Sequence, residues 1–504
     1  MQDILIGIDV GTSACKVAAF HPDGRVVAQE TRPYEVSYAP GGVVEQDPNE
    51  WWKAIADALK AVVQRSGLDA SRVRGIGVDG QSWSAIPVDA DGQVLARTPI
   101  WMDSRSTVEV EEAKRALGES RLFAPGQNSF EPQYTTPKLL WFRKHQPDLY
   151  KRARYFLQSN SFIVHRLTGV FSMDRSQGYG VHYFDTRTGG WDEALCRDLG
   201  LRLDHQAPLF DPHDVVGTLT SEVAAQVGLK AGVPVVAGGL DAACGTLGAG
   251  VTQPGQVQEQ GGQSGGMSIC VDRPDGHPKL IFGRHVVPGS WLLQGGTVGG
   301  GGSLRWFKKE FCPPETPFET LSQEAGSVPV GSEGLIFLPY LAGERSPLWD
   351  REAQGVFFGL SYSKTRAHLA RAVMEGCAFA LEHNLRTAAE AGAPVGELLA
   401  MGGSANSLVW TQIKADVTGK RIRVPASDTA STLGAALLAG VGTGLWPDFT
   451  KAAADTISIV RTHEPQAQNH RRYQQLYPIY REIYENLKDT MKKTALWAQE
   501  GANS

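Results

Sequence analysis

The most constraining feature of the chain is a carboxylate and a small polar loop between two apolar, strand-like runs within residues 4–20. Asp9, Thr12 and Ser13 put a carboxylate and two hydroxyls at one bend, where Gly11 lets the backbone approach a ligand closely. Such a bend suits a phosphate chain that carries magnesium. It has neither the Gly-x-x-x-x-Gly-Lys-Ser/Thr pattern of a P-loop nor the Gly-x-Gly-x-x-Gly pattern of a dinucleotide site. We therefore predict a phosphate-binding hairpin here, and an ordinary hairpin turn is the alternative.

A chain of 504 residues is too long for one compact core. Its length predicts two large domains, or three, and we expect a boundary that separates residues 1–245 from residues 246–504. The hydrophobic fraction of 42% and the charged fraction of 20% are typical of a globular protein rather than a disordered one. A formal net charge of -5 shows no excess of basic residues that would attract nucleic acid, so we expect no nucleic-acid partner.

Two features of the sequence bear on the location of the protein. No run of about 18 apolar residues could span a bilayer, and the amino terminus shows no basic leader followed by an apolar segment and a cleavage site. We therefore expect a cytoplasmic protein without a membrane partner. The six cysteines have no metal-ligand spacing, and we expect them to be reduced and partly buried.

Strand-like and helix-like segments alternate along the chain, which predicts an α/β layer architecture. Helices are expected at residues 109–117, 138–144 and 156–167. From about residue 466 onward, apolar residues at helical intervals predict one closing amphipathic helix.

Glycine clusters mark a restart of the sequence near residue 245. A strand, a glycine-rich bend that contains Ser264 and an apolar run at residues 267–271 repeat the order seen in the first hairpin. A flexible linker is the alternative for a glycine-rich stretch, but strand-like residues 233–237 and 257–260 lie beside these glycines. We predict a duplicated fold whose halves lie around a central cleft.

Phosphoryl transfer needs donors around the phosphates, a carboxylate near the metal and a base at the attacking hydroxyl. Besides the first hairpin, the chain offers a loop at residues 261–266, where backbone N–H groups and a serine hydroxyl could meet phosphate oxygens. A third candidate, residues 402–406, lies between an apolar run and a helix and suits the ribose and adenine side of a nucleotide.

Asp241 is the sharpest single candidate for the base. It follows the apolar strand of residues 233–237 and is surrounded by small apolar neighbours, where a lone carboxylate is costly unless it is paired or functional. The alternative is that this aspartate only caps a helix and has no catalytic role. Because the other loops are present, we prefer the functional interpretation.

The chain resembles the FGGY carbohydrate kinases over essentially its whole length. Residues 355–360 and 368–375 fit the carboxy-terminal signature of that family, while residues 135–142 fit its amino-terminal signature and Gln133 departs from it. The resemblance implies two actin-like, ribonuclease H-like domains of the ASKHA (actin, hexokinase and Hsp70) superfamily, which flank an ATP/sugar cleft. It also implies ATP and Mg2+.

The resemblance assigns expected roles to individual residues. Asp241 matches the general base, and Asp9 matches the metal-associated carboxylate, with Asp241 beside the same metal. Sugar contacts are expected, besides Asp241, at Gln81, Ser82, Trp83, Asp103 and Arg105. Nucleotide contacts are expected at Gly11, Thr12, Ser13, Lys16, Gly262, Gln263, Ser264, Gly402, Gly403, Ser404 and Asn406.

Residues 45–48, 101–105 and 343–347 resemble the xylulokinase branch of this family. Three positions depart from that branch. Ser82 and Trp83 stand where those kinases carry Met and His, and Gln263 replaces the usual Thr of the second phosphate loop. Trp83 could stack on a sugar face or fill space, and the sugar is the least constrained part of the prediction.

The resemblance implies ATP-dependent phosphorylation of a primary hydroxyl of a ketose such as D-xylulose. The alternatives are a kinase for L-xylulose, ribulose, gluconate or glycerol, a non-catalytic sugar and ATP sensor, or a nucleotide-driven binding protein of the same fold. The expected partners are a small sugar and ATP, and a homodimer is possible because similar kinases often form one.

Overall fold

A computed structural model describes residues 3–67, 69–426 and 429–502 of the chain. Up to residue 240 the strands are β1 (Ile4–Val10), β2 (Ala14–Phe20), β3 (Val26–Pro33), β4 (Ser37–Ala39), β5 (Val43–Gln46), β6 (Val73–Gly80), β7 (Ile86–Val88), β8 (Thr98–Pro99), β9 (Tyr155–Leu157), β10 (Met173–Asp174), β11 (Phe184–Asp185), β12 (Gly190–Trp191), β13 (Leu209–Phe210), β14 (Val215–Thr218), β15 (Pro234–Val236) and β16 (Gly239–Leu240). The later strands are β17 (Val257–Gly261), β18 (Gly265–Val271), β19 (Ile281–Arg284), β20 (Trp291–Thr297), β21 (Ile336–Leu338), β22 (Val356–Phe358), β23 (Leu398–Met401), β24 (Ile422–Pro425) and β25 (Ile459–His463).

The helices alternate with these strands, as predicted. They are α1 (Pro48–Ser66), α2 (Thr107–Leu117), α3 (Glu119–Phe123), α4 (Thr135–His145), α5 (Pro147–Arg152), α6 (Ser159–Thr168), α7 (Glu193–Asp198), α8 (Ser221–Val227), α9 (Asp241–Gly248), α10 (Gly301–Phe311), α11 (Phe318–Ser327), α12 (Arg366–Glu390), α13 (Leu408–Thr418), α14 (Ala430–Gly442), α15 (Phe449–Thr456) and α16 (Ala467–Ala502). No helix of the described part of the chain is long and apolar enough to cross a membrane.

Two large sheets repeat one strand order. The first runs β14-β15-β6-β1-β2-β3, with β16 also paired to β6. The second runs β25-β24-β23-β17-β18-β20-β19. In both sheets three antiparallel strands, β3-β2-β1 and β20-β18-β17, are followed by two parallel strands and an antiparallel edge strand. The second sheet differs in that β19 adds a fourth antiparallel strand beyond β20. The predicted restart of the fold is therefore confirmed, and the hairpin β17–β18 is the counterpart of β1–β2.

Helices α9 and α14 pack between these two halves at very close range. A Cβ at Gly7 would lie 1.8 Å from the Thr432 carbonyl oxygen, and one at Gly77 would lie 1.9 Å from that of Ala435, so α14 lies directly on β1 and β6. Buried side chains of β1, α9, α14 and β23 form one hydrophobic cluster. Since α14 comes from the later half of the sequence, it ties that half to the first sheet, and the boundary near residue 245 stays a prediction.

The closing helix is confirmed as α16, which packs on α12. Glu375 accepts hydrogen bonds of 2.7 Å from Arg371 and of 2.7 Å from the Tyr473 hydroxyl, and its side chain is buried. Two positions of the carboxy-terminal family signature therefore hold the last helix in place.

The helices predicted at residues 109–117 and 138–144 are confirmed within α2 and α4. The prediction for residues 156–167 is wrong at its start, because β9 covers residues 155–157 and pairs with β7 before α6 begins. All six cysteines are free, and five are buried, as expected.

Candidate active site

Three aspartates meet at one edge of the first sheet. Asp9 and Asp79 are register partners at the ends of the parallel strands β1 and β6. Gly239 of β16 pairs with Asp79 from the other side, and Asp241 follows that strand as the first residue of α9. Because in-register side chains of neighbouring strands project to the same face, this arrangement brings the carboxyl groups together. Asp9 and Asp241 were predicted from the sequence, whereas Asp79 was missed.

Asp241 is half-buried at the beginning of α9, whose N-cap residue is Leu240. Its Oδ1 accepts a hydrogen bond of 2.6 Å from the adjacent N–H of Ala242. A capping aspartate instead accepts from an N–H two or three residues on, so the capping interpretation is not supported. Burial, followed by the negative charge of Asp9, raises the pKa of Asp241 to about 7. The carboxyl group is therefore poised to accept a proton near neutral pH.

Asp9 lies between the carboxyl group of Asp79 and the ammonium group of Lys16. Burial raises the pKa of Asp9, while a hydrogen bond with the Asp79 side chain and the positive charge of Lys16 lower it in part. Lys16 is the cross-strand partner of Asp9 in the β1–β2 hairpin and is half-buried. Burial is also the main cause that raises the pKa of Asp79 well above its usual value, and the charges of Asp9 and Asp241 add to it.

Side chains from elsewhere in the chain hold the first phosphate hairpin in place by hydrogen bonds to its backbone carbonyl groups. Tyr34 donates a hydrogen bond of 2.5 Å to the Gly11 carbonyl, and Gln46 donates one of 2.8 Å to the Thr12 carbonyl. The Thr12 hydroxyl accepts a bond of 2.9 Å from the indole N–H of Trp101. A hydroxyl that accepts can still donate, so Thr12 and the exposed Ser13 at the tip retain O–H donors for a phosphate.

The second phosphate loop rests on the amino terminus of α10. The N–H groups of Gly301 and Gly302 donate to the carbonyls of Gly262 and Gln263 at 2.8 Å and 2.9 Å. These carbonyls therefore point toward α10, away from the opposite face of the loop. The side chain of Gln263 accepts a bond of 2.7 Å from Arg305 of the same helix. Ser264 is exposed at the tip, as Ser13 is in the first hairpin.

The third loop connects β23 to α13, and a buried ion pair joins α13 to β17, the strand that leads into the second loop. Lys414 contacts Glu259 at 2.6 Å and donates to the Ser404 hydroxyl at 2.7 Å. Gly261 leaves room for Ser404, since a Cβ there would lie 1.6 Å from the serine oxygen. The Ser404 hydroxyl is thus buried and used within the protein, while three other predicted nucleotide contacts are exposed: Gly402, Gly403 and Asn406.

The predicted sugar loop has an aromatic wall. Trp83 stacks on Tyr134 with ring centroids 4.1 Å apart, and the Tyr179 hydroxyl donates a bond of 2.7 Å to Ser82. Trp83 has a φ of 59°, which is rare and strained for a bulky residue. The fully buried ammonium of Lys138 donates to the Trp83 carbonyl at 2.7 Å and so holds this conformation.

Gln81, Asp103 and Arg105 are engaged within the protein. Gln81 donates to the Gln46 side chain at 2.9 Å. Asp103 is buried, accepts from the Val44 N–H at 2.7 Å and pairs with Arg105 at 2.6 Å. Their predicted contacts with a sugar stay predictions.

Magnesium fits the aspartates on chemical grounds. Among the described residues, no group of three or more His, Cys, Asp or Glu side chains is arranged to hold a metal. Magnesium, however, usually binds one or two carboxylates together with substrate phosphates and water. The buried oxygens of Asp79, for which the described residues supply no hydrogen-bond donor, and the adjacent Asp9 are the hard oxygen ligands that such an ion prefers.

A local repeat in the sequence could have revealed Asp79. Gly7-Ile8-Asp9 at the end of β1 recurs as Gly77-Val78-Asp79 at the end of β6. Both glycines contact α14, and each aspartate follows two residues later on the same face of the sheet.

Comparisons with known proteins agree with this architecture. Family models for the FGGY family of carbohydrate kinases match residues 4–248 as the N-terminal domain and residues 277–443 as the C-terminal domain. A xylulose kinase of Bacillus subtilis is 33% identical over 96% of this chain and 97% of its own length.

Solved structures of similar proteins cover the chain almost completely. A xylulose kinase from Rhodospirillum rubrum is 29% identical with a TM-score of 0.90, over 97% of this chain and 100% of that one. A gluconate kinase from Lactobacillus acidophilus is 26% identical with a TM-score of 0.90, over 98% of this chain and 100% of that one. The predicted two-domain α/β fold is thereby confirmed, and the chain belongs to the FGGY family of carbohydrate kinases.

Proposed function

We propose that the protein transfers the γ-phosphoryl group of ATP to a primary hydroxyl of a ketose such as D-xylulose, with Asp241 as the general base. The observation that carries this proposal is the half-buried carboxyl of Asp241, whose pKa is raised to about 7, at the sheet edge where the first phosphate hairpin ends. A base with this pKa can take the hydroxyl proton as the sugar oxygen attacks the γ-phosphorus.

The two hairpins support the placement of the phosphates. Thr12 and Ser13 offer hydroxyl donors, and the second loop turns the carbonyls of Gly262 and Gln263 toward α10. Its N–H groups and the exposed Ser264 are therefore the candidates for phosphate contacts. Gly402, Gly403 and Asn406 are the candidates for the nucleoside side.

Asp9 would hold the magnesium ion, and Asp241 lies close enough to Asp9 for the charge of that carboxylate to raise its pKa. When bound, the ion supplies positive charge that neutralises the phosphate oxygens. Lys16 lies opposite Asp9 and would add a second positive charge near the phosphates.

A neutral ketose is favoured over gluconate, because the carboxylate of gluconate would need a cation as its partner and the two cations near the predicted sugar loop are already engaged within the protein. Arg105 is engaged with Asp103 and with Glu45, at 2.6 Å and 2.7 Å. The buried Lys138 donates to two backbone carbonyls. We therefore expect Ser82, Trp83 and the nearby Tyr179 to recognise the sugar through hydroxyl bonds and stacking.

A screen of ADP release tests the proposal. The purified protein with magnesium and ATP is assayed against D-xylulose, L-xylulose, D-ribulose, gluconate and glycerol, with a sample that lacks sugar as the blank. We expect a ketose to stimulate ADP release and the product to carry one phosphate by mass spectrometry. Preference for gluconate or glycerol would contradict the ketose assignment. Sugar binding without stimulation would instead identify a sensor.

A further inference from the structure

Asp79 has a position that the proposed roles of Asp9 and Asp241 do not explain. Its strand, β6, lies between β1, which carries Asp9, and β16, which leads into Asp241. Its side chain is completely buried. Its carboxyl group contacts that of Asp9, and within the described part of the chain no N–H or hydroxyl group donates a hydrogen bond to either of its oxygens.

A buried carboxylate without donors is costly and persists only where something compensates for it. Lys16 is the cation whose charge acts on both Asp9 and Asp79, and it directly faces only Asp9 across the hairpin. Three carboxyl groups thus lie beside one ammonium group. The local charge balance therefore calls for a further cation or for a bound proton.

The parallel register places two carboxyl groups where one cation can contact both. Asp9 and Asp79 are direct partners, so their side chains leave the sheet on the same face and next to each other. Gly7 and Gly77, two residues earlier, place that face against α14. Paired carboxylates are the hard oxygen ligands that a divalent ion accepts.

We propose that the carboxylates of Asp79 and Asp9 together form a binding site for a divalent cation, and that this cation binds before the nucleotide does. This inference rests on the proposed kinase function, and it assigns Asp79 as a metal-binding residue rather than a structural one. Asp241, on the far side of β6 from Asp9, stays free to act as the base.

The test measures Mn2+ binding to the nucleotide-free protein, by electron paramagnetic resonance of the unbound ion. We expect wild type to bind Mn2+, and Asp79→Asn and Asp79→Ala to weaken that binding by about 10- to 100-fold. Asp416→Asn is the matched control, since Asp416 is also buried but accepts bonds from Gln412, Gln466 and Asn469. That variant should bind Mn2+ as wild type does.

Circular dichroism and thermal melting establish that each variant is folded, and Mn2+ should raise the melting temperature of wild type but not of Asp79→Asn. Equal Mn2+ affinity in wild type and both Asp79 variants would overturn the inference and leave a shared proton as the role of Asp79. Since no sugar is present, this result is independent of the screen for ADP release, and either proposal can fail without the other.

Discussion

Replacing Asp241 by Asn tests the assignment of the base most directly. The substitution keeps the shape of the side chain and an oxygen that can accept the 2.6 Å bond from Ala242. It removes the group that accepts the proton. We therefore expect Asp241→Asn to fold and to bind ADP with an affinity close to that of wild type, but to lose sugar phosphorylation.

The size of the loss should depend on pH in a way that the structure predicts. Loss of a general base lowers the rate by about 100- to 10,000-fold when the base is ionised. Burial and the charge of Asp9 raise the pKa of Asp241 to about 7. The ionised fraction is then about 1/11 at pH 6 and about 10/11 at pH 8. Wild-type activity should fall as the pH drops, so the ratio of wild type to variant should shrink about tenfold between pH 8 and pH 6.

The assay is coupled ADP release, with both substrates well below their KM so that kcat/KM reports the free enzyme. Calorimetry measures the affinity for ADP. Asp192→Asn is the control, because Asp192 begins a helix elsewhere and asparagine caps a helix equally well. A ratio that stays constant between pH 6 and pH 8 would refute the assignment of the titrating base to Asp241. A variant as active as wild type would refute any catalytic role.

Two further predictions concern the sugar loop. Trp83→Ala should change the ratio of kcat/KM between two ketoses by about tenfold or more with little change in the KM for ATP; equal losses for every sugar, with weaker ATP binding, would contradict the pocket role. Lys138→Met should raise the KM for the sugar, since it leaves the carbonyls of Trp83 and Ile100 unpaired. Burial lowers the pKa of Lys138 to about 7, so the unfolded chain binds an extra proton above that pH. The unfolding free energy of wild type should therefore rise relative to the variant from pH 7 to pH 10, and parallel urea titration curves would contradict this.

The duplicated fold could be predicted because its signals are local. Strand, polar bend and strand follow each other within residues 4–20, and the same order returns in β17 and β18. The start of α6 was misplaced because residues 155–157 owe their extended conformation to β7, a partner about 70 residues earlier, and local periodicity carries no signal for such pairing.

In the candidate site, too, some residues could be predicted from local sequence and others depend on distant partners. Asp241 could be found because small apolar neighbours surround it in the sequence. Asp79 was missed because the Gly-x-Asp repeat that marks it gains its meaning from the register of β6 against β1 and β16, which one segment alone does not reveal. Likewise, Ser404 was expected at the nucleotide, and its bond to Lys414 depends on a residue of the following helix.

The departures at Ser82 and Trp83 can alter sugar contacts without disturbing the phosphate hairpin. Gln81, which precedes them, donates to Gln46 at 2.9 Å, and Gln46 donates to the Thr12 carbonyl at 2.8 Å. This chain of bonds fixes the hairpin through Gln81 and does not pass through the two altered side chains. Trp83 is held separately, by Lys138 through its carbonyl and by stacking on Tyr134. Because the two sets of contacts are distinct, substitutions on the aromatic wall should change which sugar is accepted while the geometry around Asp9 is retained.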